Sequence, residues 1–132
     1  APVVDANGVT TYQAHWTVTT PRGGHWYSLE PFVYQGRSYM LSQLVPAGSN
    51  YPTSIWLAGL DPGNPVLRQL TPNGAARFAR GDAEVVPTAT GVMVVYSMFD
   101  TTKCTPRSPS PWLCMKGLKG LFRADTGLPP PQ

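Results

Sequence analysis

The sequence predicts an all-β protein, on three observations. No stretch of Ala, Leu, Glu and Lys is long enough for a convincing helix, and short Val/Tyr/Met/Trp runs recur between turn residues. Fifteen prolines and thirteen glycines punctuate the chain, which gives short strands their boundaries. At 132 residues the chain is large enough for a moderate core but not for two independent domains. We read a single domain over 1–127 and a proline-rich tail over 128–132.

Taken in order, Pro2 to Val4 is a short apolar run ended by the turn Asp5-Ala6-Asn7-Gly8, and Val9 to Gln13 is β-prone. Trp16 to Thr20 alternates as a strand until Pro21-Arg22-Gly23-Gly24 breaks it. Trp26 to Tyr34 and Ser38 to Val45 pair as a hairpin around Gln35-Gly36. Ser54 to Thr71 reads as two strands joined by Asp61-Pro62-Gly63-Asn64-Pro65, the clearest turn in the sequence. Pro72 to Gly81 is expected to be a loop with Phe78 as its one hydrophobic anchor. Ala83 to Pro87 and Val92 to Phe99 form a second hairpin, and Leu118 to Ala124 makes a last strand. The tail Leu128-Pro129-Pro130-Pro131-Gln132 cannot donate ladder hydrogen bonds, so strand structure should stop before it.

Charge excludes some classes of function. The net charge is +3, but the ten basic residues are scattered, with only Lys103, Arg107, Lys116, Lys119 and Arg123 loosely gathered. Nucleic-acid recognition wants a denser basic stripe, so no nucleic-acid partner is expected. No apolar run reaches the length of a membrane-spanning helix, so no membrane span is expected. Cys104 and Cys114 are the only cysteines, in a Pro/Ser loop with no second pair to complete a zinc site. A disulfide closing that loop is the preferred reading, with two free thiols as the alternative. The start at Ala1-Pro2-Val3 resembles a chain left after processing or excised from a longer one. Together these features predict a secreted or periplasmic protein.

The chain can be aligned to itself. Glu30 to Ser42 matches Glu84 to Ser97, with one extra turn residue in the second copy, and each copy runs into an apolar strand that ends in an Asp/Gly turn. In that alignment Leu60-Asp61-Pro62-Gly63 faces Ala124-Asp125-Thr126-Gly127, and Val4-Asp5-Ala6-Asn7-Gly8 is a third echo of the same turn. The repeats fall at about 28–81 and 82–127, with strands from 2–20 completing a blade and the cysteine loop inserted in the second copy. Repeats of roughly forty to sixty residues with four strands each point to β-propeller blades. A small β-sandwich is the alternative fold.

The run Ser54-Ile55-Trp56-Leu57, the Leu60 to Pro65 turn, Arg68-Gln69-Leu70-Thr71, Asp82, and Gly91 before Val92 to Ser97 resemble the WD40-like repeat of TolB-type propellers. The hairpin departs from that repeat, since Pro87-Thr88-Ala89-Thr90-Gly91 stands where Ser-Pro-Asp-Gly is usual. The resemblance covers about residues 28 to 127 and implies a fold rather than an activity. Two blades cannot close a ring, so it also implies a homo-oligomer or a larger protein assembly.

Aromatic side chains are the main resource for binding. Trp16, Trp26, Tyr27, Tyr51 and Trp112 are the candidate contact residues, for a protein or a glycan, whereas Trp56 and Tyr96 are read as packing between blades. His15 and His25 recur ten residues apart, but no third ligand at sensible spacing makes them a metal site. Glu30 and Glu84 hold equivalent places, with Asp82 and Asp100 nearby, and paired carboxylates are the equipment of glycoside hydrolysis. Five-bladed glycosidases resemble Glu30-Pro31 in starting strands with an acid beside proline. No nucleophile motif and no glycine-rich phosphate loop is present, and no cofactor is implied. The leading expectation is a non-catalytic binding or assembly module; a lectin or a glycoside hydrolase fragment using Glu30 and Glu84 is the alternative.

Overall fold

The turn signals after Val4, Tyr34, Gly59 and Thr88 each sit between two strands that pair across them. The computed structural model describes residues 2–12, 18–20, 23–61, 63, 66–72, 74, 77–103 and 115–131. Its strands are β1 (Pro2–Val4), β2 (Thr10–Tyr12), β3 (His25–Tyr34), β4 (Arg37–Val45), β5 (Ser54–Gly59), β6 (Leu67–Gln69), β7 (Phe78–Thr88), β8 (Gly91–Asp100) and β9 (Leu118–Asp125). Single 3₁₀ turns, Thr101–Lys103 and Met115–Gly117, flank the cysteine insertion and touch each other. The cysteines themselves lie outside the described residues.

The protein is all-β, as expected. Strands β3-β4-β5-β6 form one antiparallel sheet and β7-β8-β9 a second. Among the described residues β1 and β2 pair with each other and with neither larger sheet of the same chain. Val18 to Thr20, expected in a strand, carry none. Asp5 holds the β1–β2 turn, its Oδ1 accepting from the amides of Asn7 and Val9 at 2.9 Å each. At the β3–β4 turn Gln35 and Gly36 both take positive φ, +49° and +70°, the two-residue reversal whose twist matches its flanking strands.

The largest correction concerns β7. The expected loop over 72–81 ends at Phe78, where the strand begins. Ala79 and Gly81 carry little intrinsic β preference, yet Ala79 is wholly buried and Phe78 to Gly81 pair with Ser97 to Asp100. Arg80 anchors this start to the first sheet, its amide donating to the Pro52 carbonyl at 2.9 Å and its guanidinium to the Thr53 carbonyl.

The ladder also corrects the self-alignment. Tyr34 faces Arg37 and Thr88 faces Gly91, so both hairpins turn in two residues and the second has no extra one. Leu41 therefore corresponds to Val95, Gln43 to Ser97, and Ala58 to Ala124. The amides of Leu60 and Thr126 donate to the carbonyls of the equivalent residues Ser38 and Val92, which makes Thr126, rather than Ala124, the counterpart of Leu60.

The core lies between the sheets. Leu41 and Ile55 from one face of the first sheet meet Ala83, Val94 and Tyr96 from the second, with Phe32, Leu70, Val85 and Ala124 packed around them. Full burial of each aliphatic side chain stabilises by roughly 1.5–3 kcal/mol. Tyr96 also stacks on Phe122, with centroids 5.9 Å apart, as its reading as a packing residue requires. Beyond β9 the chain leaves strand geometry, as expected of the tail, and straps the sheets together. Arg68 Nη1 donates to the Thr126 carbonyl at 2.6 Å, and Tyr34 Oη and Gln35 Nε2 donate to the carbonyls of Pro129 and Pro130 at 2.8 and 2.6 Å.

Candidate functional site

Side chains alternate across a strand, so the residues between those of the core must face away from it. On the first sheet that outer face includes Trp26 and Leu44, Met40, Ser42, Trp56, Ala58 and Leu67 by register, with Ser54 and Gln69 among its polar members. It is mostly apolar, which an outward sheet face ordinarily is not. A recess of about 210 Å³ lies there, lined by Val18, Trp26, Leu29, Met40, Trp56 and Leu67 among others.

Two tryptophans shape it. Their rings meet edge to face, with centroids 6.0 Å apart and planes at 70°, a favoured aromatic arrangement. Each indole N–H is already used: Trp26 Nε1 donates to the Val18 carbonyl at 3.1 Å and Trp56 Nε1 to Ser54 Oγ at 2.9 Å. The tryptophans therefore offer a visitor apolar faces and edges rather than donors.

A bulge in β3 brings Leu29 to the recess. Between the pairs Tyr27–Gln43 and Glu30–Leu41 the strand carries two residues against one, and Ser28 takes φ +48°. The same bulge recurs in β7, where Asp82 takes φ +47° between Gly81–Ser97 and Glu84–Val95. The second copy is pinned by Ser97, whose Oγ donates to the Gly81 carbonyl at 3.0 Å and lies 3.4 Å from Asp82 Oδ2.

A second polar assembly closes the base of the cysteine insertion. Arg77 Nε and Nη2 donate to the two carboxylate oxygens of buried Asp100 at 3.0 and 2.6 Å, a two-pronged ion pair. Thr102 adds its hydroxyl at 2.7 Å and its amide at 3.1 Å. The Arg77 hydrogen bonds foremost, then the Thr102 hydroxyl, hold the Asp100 carboxyl well below the usual carboxylate range, against the opposing effect of burial. The Arg77 guanidinium is correspondingly raised, chiefly by its hydrogen bond to Asp100. Asp100 is thus a structural carboxylate bound to its partner.

The candidates named from sequence scatter. Trp26 is half-buried in the recess, Tyr51 is half-buried, and Tyr27 is exposed. Trp16, Trp112 and His15 lie outside the described residues. His25 is exposed, and among the described residues no three His, Cys, Asp or Glu side chains gather to hold a metal ion. Glu30 shares the face of Phe32, which packs on the core, whereas Glu84 shares the face opposite Val85 and Val94. Register thus directs the two acids to faces separated by the second sheet itself. Leu29, Met40 and Leu67 were missed, and only their place in the ladder reveals them.

Among the described residues no helix is long and apolar enough to cross a membrane. Comparison with protein-family models, with curated proteins and with solved structures finds no match to this chain.

Proposed function

We propose that the chain is a non-catalytic binding and assembly module of the β-propeller kind, secreted or periplasmic, that docks an apolar protein surface on the outer face of its first sheet. The Trp26–Trp56 recess carries this reading. Aliphatic side chains of a protein suit its unused aromatic faces, whereas a sugar needs polar partners around the ring it stacks on. The glycan and hydrolase readings are less supported, because both indole N–H groups are spent internally and Glu30 and Glu84 do not share a face.

The propeller reading rests on two hairpins with the same bulge, each followed by a third strand in the same register. The contact between the 3₁₀ turns on either side of the insertion supports a disulfide between Cys104 and Cys114. Non-reducing peptide mapping should recover the two joined, and two alkylated thiols in the native chain would contradict it.

An apolar naphthalene sulfonate dye tests the recess. At concentrations that keep the chain monomeric, tryptophan-to-dye energy transfer should report one site. Met40→Glu should weaken it by roughly tenfold, the factor given by about 1.4 kcal/mol. No uptake by the native chain, or uptake unchanged by Met40→Glu, sinks the reading.

A further inference from the structure

The recess lining and the buried face of the second sheet are the same positions of the repeat. By register Leu29 corresponds to Ala83, Met40 to Val94, Ser42 to Tyr96, Trp56 to Phe122 and Ala58 to Ala124. Ala83, Val94 and Tyr96 belong to the core that the second sheet forms against the first, and Ala124 packs on it. The protein therefore contains one finished example of what covers this face: the opposite face of a neighbouring sheet, represented by Phe32, Leu41 and Ile55.

The second sheet presents the equivalents of those three, Val86, Val95 and Leu121, on its outer side. Ile55 is fully buried while Leu121, an aliphatic residue at the same position, is 75% exposed. By register Val86, Met93, Val95 and Leu121 share this outer side with Glu84 and Arg123, and it is the apolar set together, not one exposed leucine, that makes it a candidate interaction surface. The recess also has the space, since an apolar cavity of roughly 150 Å³ already holds benzene, and this one is about 210 Å³.

We infer that a second copy of this chain docks head to tail, its Val86–Val95–Leu121 face seated on the Trp26–Met40–Trp56 recess. The inference rests on the recess being a docking surface and extends it by naming the occupant. The two surfaces differ, so the contact is heterologous, and repetition of it closes a ring or extends a stack. It continues the geometry of the interface between the two sheets of one chain.

Two variants, each blocking one surface, test this. Leu121→Glu spoils the donating face, and Leu67→Glu, on an exposed rim residue of β6, spoils the recess without touching the core. In sedimentation velocity up to about 100 µM, a range that detects even weak association, the native chain should run larger than a monomer. Each variant should weaken association by roughly tenfold or more, with far-UV circular dichroism unchanged. Mixed, the two variants should form a 1:1 dimer and stop there, because each retains the surface the other lacks. A native chain monomeric throughout, variants that associate as the native chain does, or a mixture without the dimer overturns the inference. Dye uptake at the recess by a chain that stays monomeric would overturn it while leaving the recess reading standing.

Discussion

Ser28 and Asp82 hold the same left-handed backbone, φ +48° and +47°, at the same step of two hairpins in separate sheets. Neither is glycine, so each copy keeps a conformation that costs an ordinary residue roughly 1–2 kcal/mol. The strain is retained where it sets side-chain direction: the bulge sends Leu29 to the recess and Ala83 to the core. Ser28→Gly should therefore raise stability by up to about 1 kcal/mol, and Ser28→Val should lower it by about 1–2 kcal/mol. Denaturant midpoints at constant m-value check both, and a tolerated valine would contradict the assigned geometry.

Equivalent positions should respond unequally to truncation. Ile55→Ala removes a fully buried side chain and should cost about 2–5 kcal/mol. Leu121→Ala, at the matching position of β9, should change the monomer by no more than about 0.5 kcal/mol while weakening association. Urea unfolding of dilute chain reads the first effect and sedimentation the second.

Much of the fold is legible in the sequence because its turns have their own chemistry. Gln35-Gly36 and the Asp61 turn mark two reversals, and alternation along Ser38 to Val45 gives β4 almost to its ends. The start of β7 is not legible, because Ala79 and Gly81 are in a strand through contacts with Pro52, Thr53 and β8 rather than through their own preference. Aligning Ser42 with Ser97 by identity introduces an extra turn residue that the ladder removes. The recess is hidden for the same reason: Leu29, Met40 and Leu67 look like ordinary strand residues until the bulge and register put them on one face. Cross-sheet ties such as Arg68 to Thr126 join residues far apart in the chain and leave no local trace.

The Arg77–Asp100 pair predicts an acid dependence of fixed sign. Because folding lowers the Asp100 pKa, its contribution is full above the unfolded carboxylate value, about 4, and is lost as pH falls further. Arg77→Leu should lower the melting temperature near neutral pH, and the gap to the native chain should narrow below pH ~4. A gap independent of pH would show that Asp100 is not the group being stabilised.

Gly91 tests the strap. It takes φ +140°, and a Cβ there would lie 2.5 Å from the Leu128 carbonyl oxygen, where the tail crosses the second hairpin. Gly91→Ala should destabilise by about 1–3 kcal/mol, the usual range for overpacking. Truncation after Thr126 should recover part of that loss by removing the obstacle. Thermal melts of the two variants and their combination give the comparison, and additive losses would deny the contact.

The native mass tests most directly whether this unfinished sheet stack associates with its own kind. Sedimentation equilibrium, run with and without reductant, should give a multiple of the chain mass that falls to the monomer when Leu121 is replaced by Glu. A native chain sedimenting as a single copy in every condition would contradict it.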